Sequence, residues 1–351
     1  MSDLESTALA SSCSGLKPPI PSQIKFSCSM KSNLQNSKNL LAFSAGVDSS
    51  ALFFILLQEK ISFDIALVNY GLRESAFVEE QHAIDLAKKY NLNCYTTKAP
   101  SFENNFEKNA RDFRYNFFDG LMLNYDNLLT AHQLNDQLEW FLMRLTKGAG
   151  TAELLGLEPI SIRKSYAIVR PLLEHSKEEL LEYLKENSYP YFVDQSNFSD
   201  KYERNIFRKE FSNKLLTDYR DGIKRSFNYL REDKKNLLSG YQEIFNHKEL
   251  YILSYQKNSI TVRLVDKYLK ILGYLLSGNQ RKELEKESSI VFGGVWAVEI
   301  TDNKIYIAPY QKIAMPKKFK EECRVLKIPS KIRGYLYAEG LNLEQIRVIL
   351  K

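Results

Sequence analysis

Short apolar runs alternate with longer amphipathic stretches through the first half of the chain. The apolar runs predict five β-strands, at 40–43, 63–69, 94–98, 127–131 and 166–170. Stretches with helical spacing predict the helices between them, at 49–60, 79–90, 106–123 and 136–146. Strands joined through helices of this length form right-handed crossovers, so we expect a parallel sheet with helices on both faces. In such a sheet, ligands bind beyond the carboxyl ends of the strands.

The second half of the chain is predicted to be mainly helical across 236–286. A β-hairpin follows, with strands at 291–300 and 304–307 joined by the turn Thr301-Asp302-Asn303. The Lys-rich tail beyond Pro316 allows no prediction of its structure.

The segment 1–38 differs from the rest of the chain. It contains ten serines and three prolines but few large apolar residues, so it cannot bury enough surface to offset its ordering entropy. It also lacks the basic start and apolar core of a secretory signal. We therefore predict a disordered extension over 1–38, with Met30 as a hypothetical start of translation. An α/β domain is expected over 39–215 and a C-terminal region over 216–351.

Composition excludes several classes of protein. Of the 351 residues, 44% are hydrophobic and 26% are charged, which is ordinary for a folded chain. No apolar run approaches the ~20 residues needed to cross a bilayer. The four cysteines lie far apart without metal-ligand spacing, which argues against a disulfide scaffold, a zinc ribbon or an iron–sulfur site and favours the reducing cytoplasm. The net charge of +6 permits an anionic partner.

The candidate chemistry begins directly after the first predicted strand, at Phe43-Ser44-Ala45-Gly46-Val47-Asp48-Ser49-Ser50. Small residues let the backbone approach an anion closely, and the N–H groups of the following helix point at it. Asp48 fits a phosphate-binding loop only if a divalent cation intervenes. The alternative is a tight strand-to-helix turn in which serine and aspartate cap the helix. The loop lacks the Gly-Lys-Ser/Thr of a Walker A motif.

The loop resembles the SGGxDS pyrophosphate loop of N-type ATP pyrophosphatases, and further segments narrow the resemblance to the tRNA(Ile)-lysidine synthase family. In order along the chain, these segments are VNYGLR at 68–73, NFE at 105–107 with Ala110-Arg111 and Arg114-Tyr115, TAHQLNDQLE at 130–139, RPLL at 170–173, and Asp194, Ser196-Asn197 and Arg204-Asn205. The loop alone is a weak signal, whereas the ordered set is specific.

The chain departs from the family pattern at five positions. Ala45 replaces the second glycine of the loop, Tyr70 the histidine of VNHGLR, and Gln133 the second histidine of TAHHxDD. Asn135 replaces the first aspartate of that motif, which leaves Asp136 as the single carboxylate of the pair. Trp140 stands where a threonine is usual. Together these departures keep open a relative that binds tRNA or nucleotide without catalysis.

The resemblance implies a role for each matching residue. The phosphates of ATP would be bound by Ser44, Ala45, Gly46, Val47, Asp48 and Ser49, with Asn69, Arg73, Arg114 and His132 completing the nucleotide site. Asp48 and Asp136 would bind Mg²⁺, and the catalytic residues would be Asp48, Asp136, Glu139 and Arg111. Taken singly, each of these residues also has an ordinary structural interpretation, such as a capped loop or a solvated helix face.

The segment 201–235 carries eleven Lys or Arg against six Asp or Glu, with aromatic residues interleaved. A basic face with aromatics suits structured RNA, because phosphates supply affinity and unstacked bases stack on rings. A solvated helix with core aromatics is the alternative. The candidate tRNA-binding residues are Arg204, Arg208, Lys209, Lys224 and Arg225.

The resemblance implies a parallel-sheet, Rossmann-like PP-loop ATP pyrophosphatase domain followed by a mainly helical tRNA-binding domain with a small hairpin. The implied reaction joins free lysine to C2 of the wobble cytidine in the CAU anticodon of tRNA(Ile). ATP first adenylates the cytidine, and AMP and diphosphate are released. The product, lysidine, changes codon specificity from AUG to AUA. A tRNA thiolase of the same superfamily is the enzymatic alternative, and the oligomeric state stays open, a homodimer included.

Overall fold

The computed structural model describes residues 24–71, 75–163, 165–193, 203–256 and 260–350. The chain divides into two compact units, the first ending at Phe227 and the second beginning at Asn228. The boundary that we predicted, after residue 215, lies twelve residues before this division of the chain. The helix Asn213–Leu237 runs through both positions, so neither coincides with the end of an element. Within the described ranges, no helix combines the length and apolarity that crossing a membrane requires.

The first unit alternates strands and helices along the chain. Its strands are β1 Asn39–Ala42, β2 Phe63–Asn69, β3 Cys94–Lys98, β4 Asn127–Leu129, β5 Ile160–Arg163 and β6 Tyr166–Val169. Its helices are α1 Cys28–Gln35, α2 Val47–Gln58, α3 Ser75–Tyr90, α4 Phe106–Leu121, α5 Leu134–Leu145, α6 Thr151–Leu154, α7 Lys177–Glu186 and α8 Glu203–Phe207, and α9 Asn213–Leu237 begins here. The five predicted strands and four predicted helices are confirmed, with ends shifted by a few residues.

The strands of the first unit form one sheet in the order β3-β2-β1-β4-β6-β5. All neighbouring strands are parallel except β5 and β6, which form an antiparallel hairpin at the edge. The strand order reverses on either side of β1, so the loops after β1 and β4 diverge and leave a crevice at their carboxyl ends. Sequence analysis missed β5, because an edge strand with Ile160 and Ile162 exposed has no buried face to create a pattern.

The apolar character of β1 and α2 explains why the crevice is rigid on one side. Leu40 and Leu41 of β1 are both buried, and they pack into separate core clusters on opposite faces of the sheet. Helix α2 is buried throughout residues 49–56. A helix that is apolar on all sides lies inside a core, so packing alone fixes where the first turn of α2 points.

Residues 24–38 correct the expectation of a disordered extension over 1–38. They form α1 and bury Ile24, Phe26 and Leu34 in the main core, while Ser27 caps the helix by accepting a hydrogen bond from Met30 N at 3.4 Å. Three apolar side chains suffice because the core that they join is already formed by other elements. A start of translation at Met30 would remove two of them. Residues 1–23 lie outside the described part of the chain.

The second unit contains a five-stranded antiparallel sheet in the order β7-β8-β11-β10-β9, with apolar cores on both faces. Its elements are β7 Tyr241–His247, β8 Leu250–Tyr255, α10 Thr261–Ile271, α11 Gly278–Leu284, β9 Ser289–Phe292, β10 Trp296–Ile300, β11 Lys304–Pro309, α12 Lys317–Val325, α13 Ser330–Ala338 and α14 Leu343–Leu350. The predicted hairpin is confirmed for β10 and β11, but the single strand predicted over 291–300 is two strands, β9 and β10, with a turn between them. The prediction of mainly helical structure is wrong for 241–255, where a bulge between Glu243 and Phe245 breaks the strand alternation.

Candidate active site

A cavity of about 980 Å³ opens at the carboxyl ends of β1 and β4. Its walls come from the loop after β1, from the start of α5, from the first residue of α7 and from the segment 204–213. Polar and charged side chains from these four places therefore meet, although they lie up to 170 residues apart in the sequence. This is the position at which the strand order predicts a ligand.

The loop after β1 is held open for an anion. The N-cap residue of α2 is Gly46, which has no side chain to occupy the first helical N–H groups. Ser44 Oγ and Ser49 Oγ lie 3.1 Å apart, and Ser44 N donates to Ser49 Oγ at 3.2 Å. Ala45 adopts φ +57°, a left-handed conformation that costs an alanine about 1–2 kcal/mol. This requirement explains why the related loops carry glycine at that position.

Asp48 projects into the cavity from the first turn of α2. Its Oδ1 atom is buried and has no hydrogen-bond partner among the described residues. Burial and, to a smaller extent, the negative charge of Asp136 raise the pKa of the carboxyl to about 7, against the opposing charges of Lys177 and Arg208. The unpartnered Oδ1 atom is therefore available to a bound cation.

Asp136 lies opposite, in the first turn of α5. Its Oδ2 accepts a hydrogen bond from Gln133 N at 3.1 Å, and Gln133 in turn caps the helix. Its Oδ1 accepts a bond from Arg204 Nη2 at 2.5 Å. Burial works to raise the pKa of Asp136, but Arg204, His132 and the Gln133 N–H outweigh it, so the pKa lies below its usual range. Asp136 is therefore ionised at neutral pH.

Glu139, one turn further along α5, is fully buried and anchors two arginines. Arg204 Nε lies 2.7 Å from its Oε2, and Arg208 Nε lies 2.6 Å from its Oε1. Both arginines line the cavity, and Arg208 begins a π-helical turn, a feature common at functional sites. Arg204 and Arg208 were predicted to bind tRNA on a basic face. In the structure, their guanidinium groups are paired with Asp136 and Glu139.

His132 follows β4 and lines the same cavity. Its Nδ1 lies 3.0 Å from Thr130 Oγ1. Burial, together with nearby arginines including Arg170 and Arg204, lowers the pKa of His132 to about 4 against the opposing charge of Asp136. The ring is therefore neutral at physiological pH and acts as a hydrogen-bonding group rather than a charge.

The other predicted site residues lie in different places, and only some of them line the cavity. Arg114 lines the cavity, and so does Lys209. Arg111 is exposed outside it, with its guanidinium 5.3 Å from the Tyr115 ring. Asn69 is used locally, because its Oδ1 accepts from Gly71 N at 2.8 Å and its Nδ2 donates to Glu80 at 2.7 Å. Arg73, Asp194, Ser196 and Asn197 lie outside the described residues, and Lys224 and Arg225 are on α9.

Three of the five residues that depart from the family pattern make specific contacts with other parts of the fold. Tyr70 donates its hydroxyl to Ala110 O at 3.2 Å beside the cavity. Trp140 packs so tightly on Gly156 that a Cβ there would come within 1.8 Å of the indole nitrogen. Asn135 is buried and hydrogen-bonds both ways, to Asn213 and from Lys177. These substitutions leave the cavity open.

Sequence analysis missed Lys177 and Asn213, which line the cavity. Lys177 is the first residue of α7, behind a capping box formed by Ser176 and Glu179. Ser-x-x-Glu after an apolar strand predicts such a helix start. A lysine in the first turn opposes the helix dipole, which is a signal for an anionic ligand. Asn213 has no comparable sequence signal.

The acids of the cavity suit a metal that is only partly coordinated by protein. Within the described ranges, no group of three or more His, Cys, Asp or Glu is arranged to hold a metal ion. Two carboxylates face each other instead, and one of them has an unpartnered buried oxygen. Mg²⁺ is commonly bound by one or two carboxylates together with substrate phosphates, so the residues fit that ion in the presence of a nucleotide.

The chain is similar to several known proteins. Residues 20–215 match a family described as a PP-loop domain. The chain is 45% identical to tRNA(Ile)-lysidine synthase of Campylobacter jejuni strain RM1221, over 89% of this chain and 96% of that protein. It is 42% identical to the Helicobacter pylori 26695 enzyme of the same name, over 88% and 92%. A structure of the U34-tRNA thiolase NcsA of Methanococcus maripaludis is similar with a TM-score of 0.48 and 18% identity, over 70% and 85%.

Proposed function

The chain belongs to the PP-loop family and, within it, to the tRNA(Ile)-lysidine synthases, and from this we propose how its residues divide the reaction. The enzyme forms lysidine on tRNA(Ile), and we place the reaction at the wobble cytidine of a CAU anticodon. In the proposed sequence, the C2 oxygen of the wobble cytidine attacks the α-phosphate of ATP and diphosphate leaves. The ε-amine of free lysine then attacks C2, and AMP leaves. We expect the protein to act in the cytoplasm, where its tRNA substrate is found.

The observation that carries this proposal is the open first turn of α2 beside Asp48. The free N–H groups of the helix, with Ser44 and Ser49, suit the departing diphosphate. Arg114 lines the same cavity and adds positive charge where negative charge develops during the transfer. Asp48 and Asp136 would hold Mg²⁺, which offsets the charge on the diphosphate.

The two acids on α5 differ in what they can do for lysine. Asp136 lines the cavity, whereas Glu139 acts through the arginines that it anchors. Because the pKa of Asp136 is held low, this carboxylate suits the binding of a cation better than the acceptance of a proton. Lysine must nevertheless attack as the neutral amine, against a reference pKa of about 10.4. We propose that Asp136 orients the amine rather than deprotonating it.

Neither alternative function finds support. A thiolase needs reactive cysteines, but the described cysteines are not among the cavity residues. Burial raises the pKa of the Cys94 thiol to about 11, with a contribution from Glu80, which makes it a poor nucleophile. A non-catalytic relative was suggested by Gln133, Asn135 and Trp140. These residues cap and pack α5 without blocking the cavity.

Release of diphosphate tests the proposed function directly. We expect continued release from ATP over many turnovers only when both lysine and tRNA(Ile) with a CAU anticodon are present, because without lysine the adenylated tRNA is not consumed and release stops after one turnover. Little release is expected with methionine tRNA carrying the same anticodon. Continued release that needs tRNA but not lysine would contradict the ligase reaction. Retention of tRNA binding with no release would indicate a binding protein.

The affinity for MgATP is expected to rise with pH between 6 and 8. Asp48 has a pKa of about 7 in the free protein, and metal binding requires its ionised form, so binding releases a proton below that pH. We expect the affinity to increase up to tenfold per pH unit below 7 and to level off above it. Titration calorimetry in buffers of different ionisation enthalpy measures both effects. A pH-independent affinity with no proton release would contradict the role of Asp48.

Arg225→Gln is expected to weaken tRNA binding without affecting ATP. Arg225 is exposed on α9, in the segment proposed to meet the tRNA backbone. Loss of one phosphate contact should lower affinity several-fold and reduce the salt dependence by about one unit of slope. Filter binding over a series of salt concentrations measures both. Lys88→Gln, an exposed change on α3, is the matched control, and equal effects of the two would argue against a specific contact.

A further inference from the structure

Lys177 brings a positive charge to the cavity that no ion pair among the described residues neutralises. It lines the same cavity as Asp48, and its positive charge acts to lower the pKa of that carboxyl. No described carboxylate lies within ion-pair distance of its ammonium group, whereas Arg204 and Arg208 in the same cavity are both paired. The N-terminus of α2, with its free N–H groups, lies in the same cavity. A polyphosphate could accept hydrogen bonds from both this helix and the ammonium group of Lys177.

Hydrogen bonds at the start of α7 fix the backbone of Lys177. Ser176 Oγ accepts from Glu179 N at 3.3 Å, and Glu179 Oε2 accepts from Ser176 N at 2.6 Å, which together form a capping box. Lys177 N donates to Asn135 Oδ1 at 3.0 Å. This last bond ties the start of α7 to the start of α5, two elements that lie 42 residues apart in the sequence.

Asn135 bridges two residues through its amide. Since a backbone N–H can only donate, Asn135 Oδ1 must face Lys177 and Nδ2 must face Asn213, whose Oδ1 it reaches at 3.1 Å. An aspartate could also accept from Lys177, but it would need the Asn213 amide to turn and donate instead of accept. The amide in place of the family's acid therefore joins three elements of the cavity wall through one buried side chain.

We propose that Lys177 binds the β- and γ-phosphates of ATP, and that Asn135 is the positioning residue that holds it in place. The inference rests on the proposed function of the cavity and extends it to two residues. It also gives the amide at position 135 a role, because Asn135 holds the residue that carries the ammonium group rather than binding a metal ion itself.

Binding of inorganic pyrophosphate with Mg²⁺, measured by titration calorimetry without tRNA, tests the role of Lys177. We expect Lys177→Met to weaken binding at least tenfold and Lys177→Arg to keep it within about threefold. Lys185→Met, an exposed change on the same helix, is the matched control and should bind like the native protein. Native affinity in Lys177→Met would overturn the proposal. If the native protein itself bound no pyrophosphate, the proposed function would fail first.

A double-mutant cycle tests the role of Asn135. If Asn135 acts through Lys177, then Asn135→Ala should weaken pyrophosphate binding in the native background but change it less than twofold when Lys177 is already methionine. A thermal melt of each variant reports folding separately. Equal weakening of binding in both backgrounds would show that Asn135 only stabilises the fold, and would overturn its assignment as a positioning residue.

Discussion

Asp48→Asn is expected to lower tRNA-dependent release of diphosphate by about 10³-fold or more. The carboxylate contributes the unpartnered oxygen that a metal would take, and an amide is a much weaker ligand for Mg²⁺. A metal ion contributes several kcal/mol to stabilising charge in such a transfer, and each 1.4 kcal/mol is a factor of ten in rate. Steady-state release of diphosphate with saturating lysine and tRNA is the measurement.

The same substitution is expected to make the folded protein more stable. The pKa of Asp48 is about 7 in the folded state and about 3.8 in the unfolded state, so the unfolded chain holds fewer protons between these values. The carboxyl of Asp48 therefore costs the fold an increasing amount as the pH rises from about 4 to about 7. Asparagine carries no such penalty, and the gain at pH 7.5 should be about 2–4 kcal/mol.

Asp112→Asn, an exposed change on α4, is the control for both measurements and should alter neither. Urea denaturation at pH 5 and pH 7.5 follows the stability, and the difference between Asp48→Asn and the native protein should grow with pH. A variant that is inactive and also less stable at every pH would indicate that Asp48 is part of the packing. In that case its loss would say nothing about a metal.

The sequence allowed most of the first unit to be predicted, because its strands are buried on both faces and read as continuous apolar runs. Leu40 and Leu41 are adjacent, yet both are buried. The second unit was harder, since β7 is partly exposed and carries a bulge. The segment 24–38 was misjudged from its composition. Three buried side chains hold it against the core, and a composition taken over the whole of 1–38 does not reveal so few apolar residues.

The residues of the candidate site that follow β1 and β4 were predictable from local order, because small and polar residues directly follow apolar strands there. Contacts between distant segments were not. Arg204 and Arg208 lie 65 and 69 residues from Glu139, and nothing in a basic segment indicates that two of its arginines turn inward. The role of Asn135 was equally hidden, because it depends on Asn213 and on the first N–H of α7.

Glu139→Gln is expected to lower both stability and activity. Glutamine cannot neutralise the two guanidinium groups that Glu139 holds at 2.6 and 2.7 Å. Breaking a fully buried ion pair from one side costs about 3–5 kcal/mol, but Arg204 and Arg208 are 45% and 21% exposed and can turn partly to water. We therefore expect a loss of about 2–3 kcal/mol in urea denaturation, with kcat/KM lowered at least tenfold.

Glu203→Gln is the matched control, because Glu203 pairs with Lys147 at 2.9 Å on the surface, where both side chains are about half exposed. Such a pair contributes about 0.2–1 kcal/mol. The comparison also decides what Glu139 does in the reaction. A proton acceptor would lose activity with little change in stability, and the loss would vary with pH. An anchor for two arginines would lose both together at every pH. The full burial of Glu139 and its two charged partners predict the second outcome.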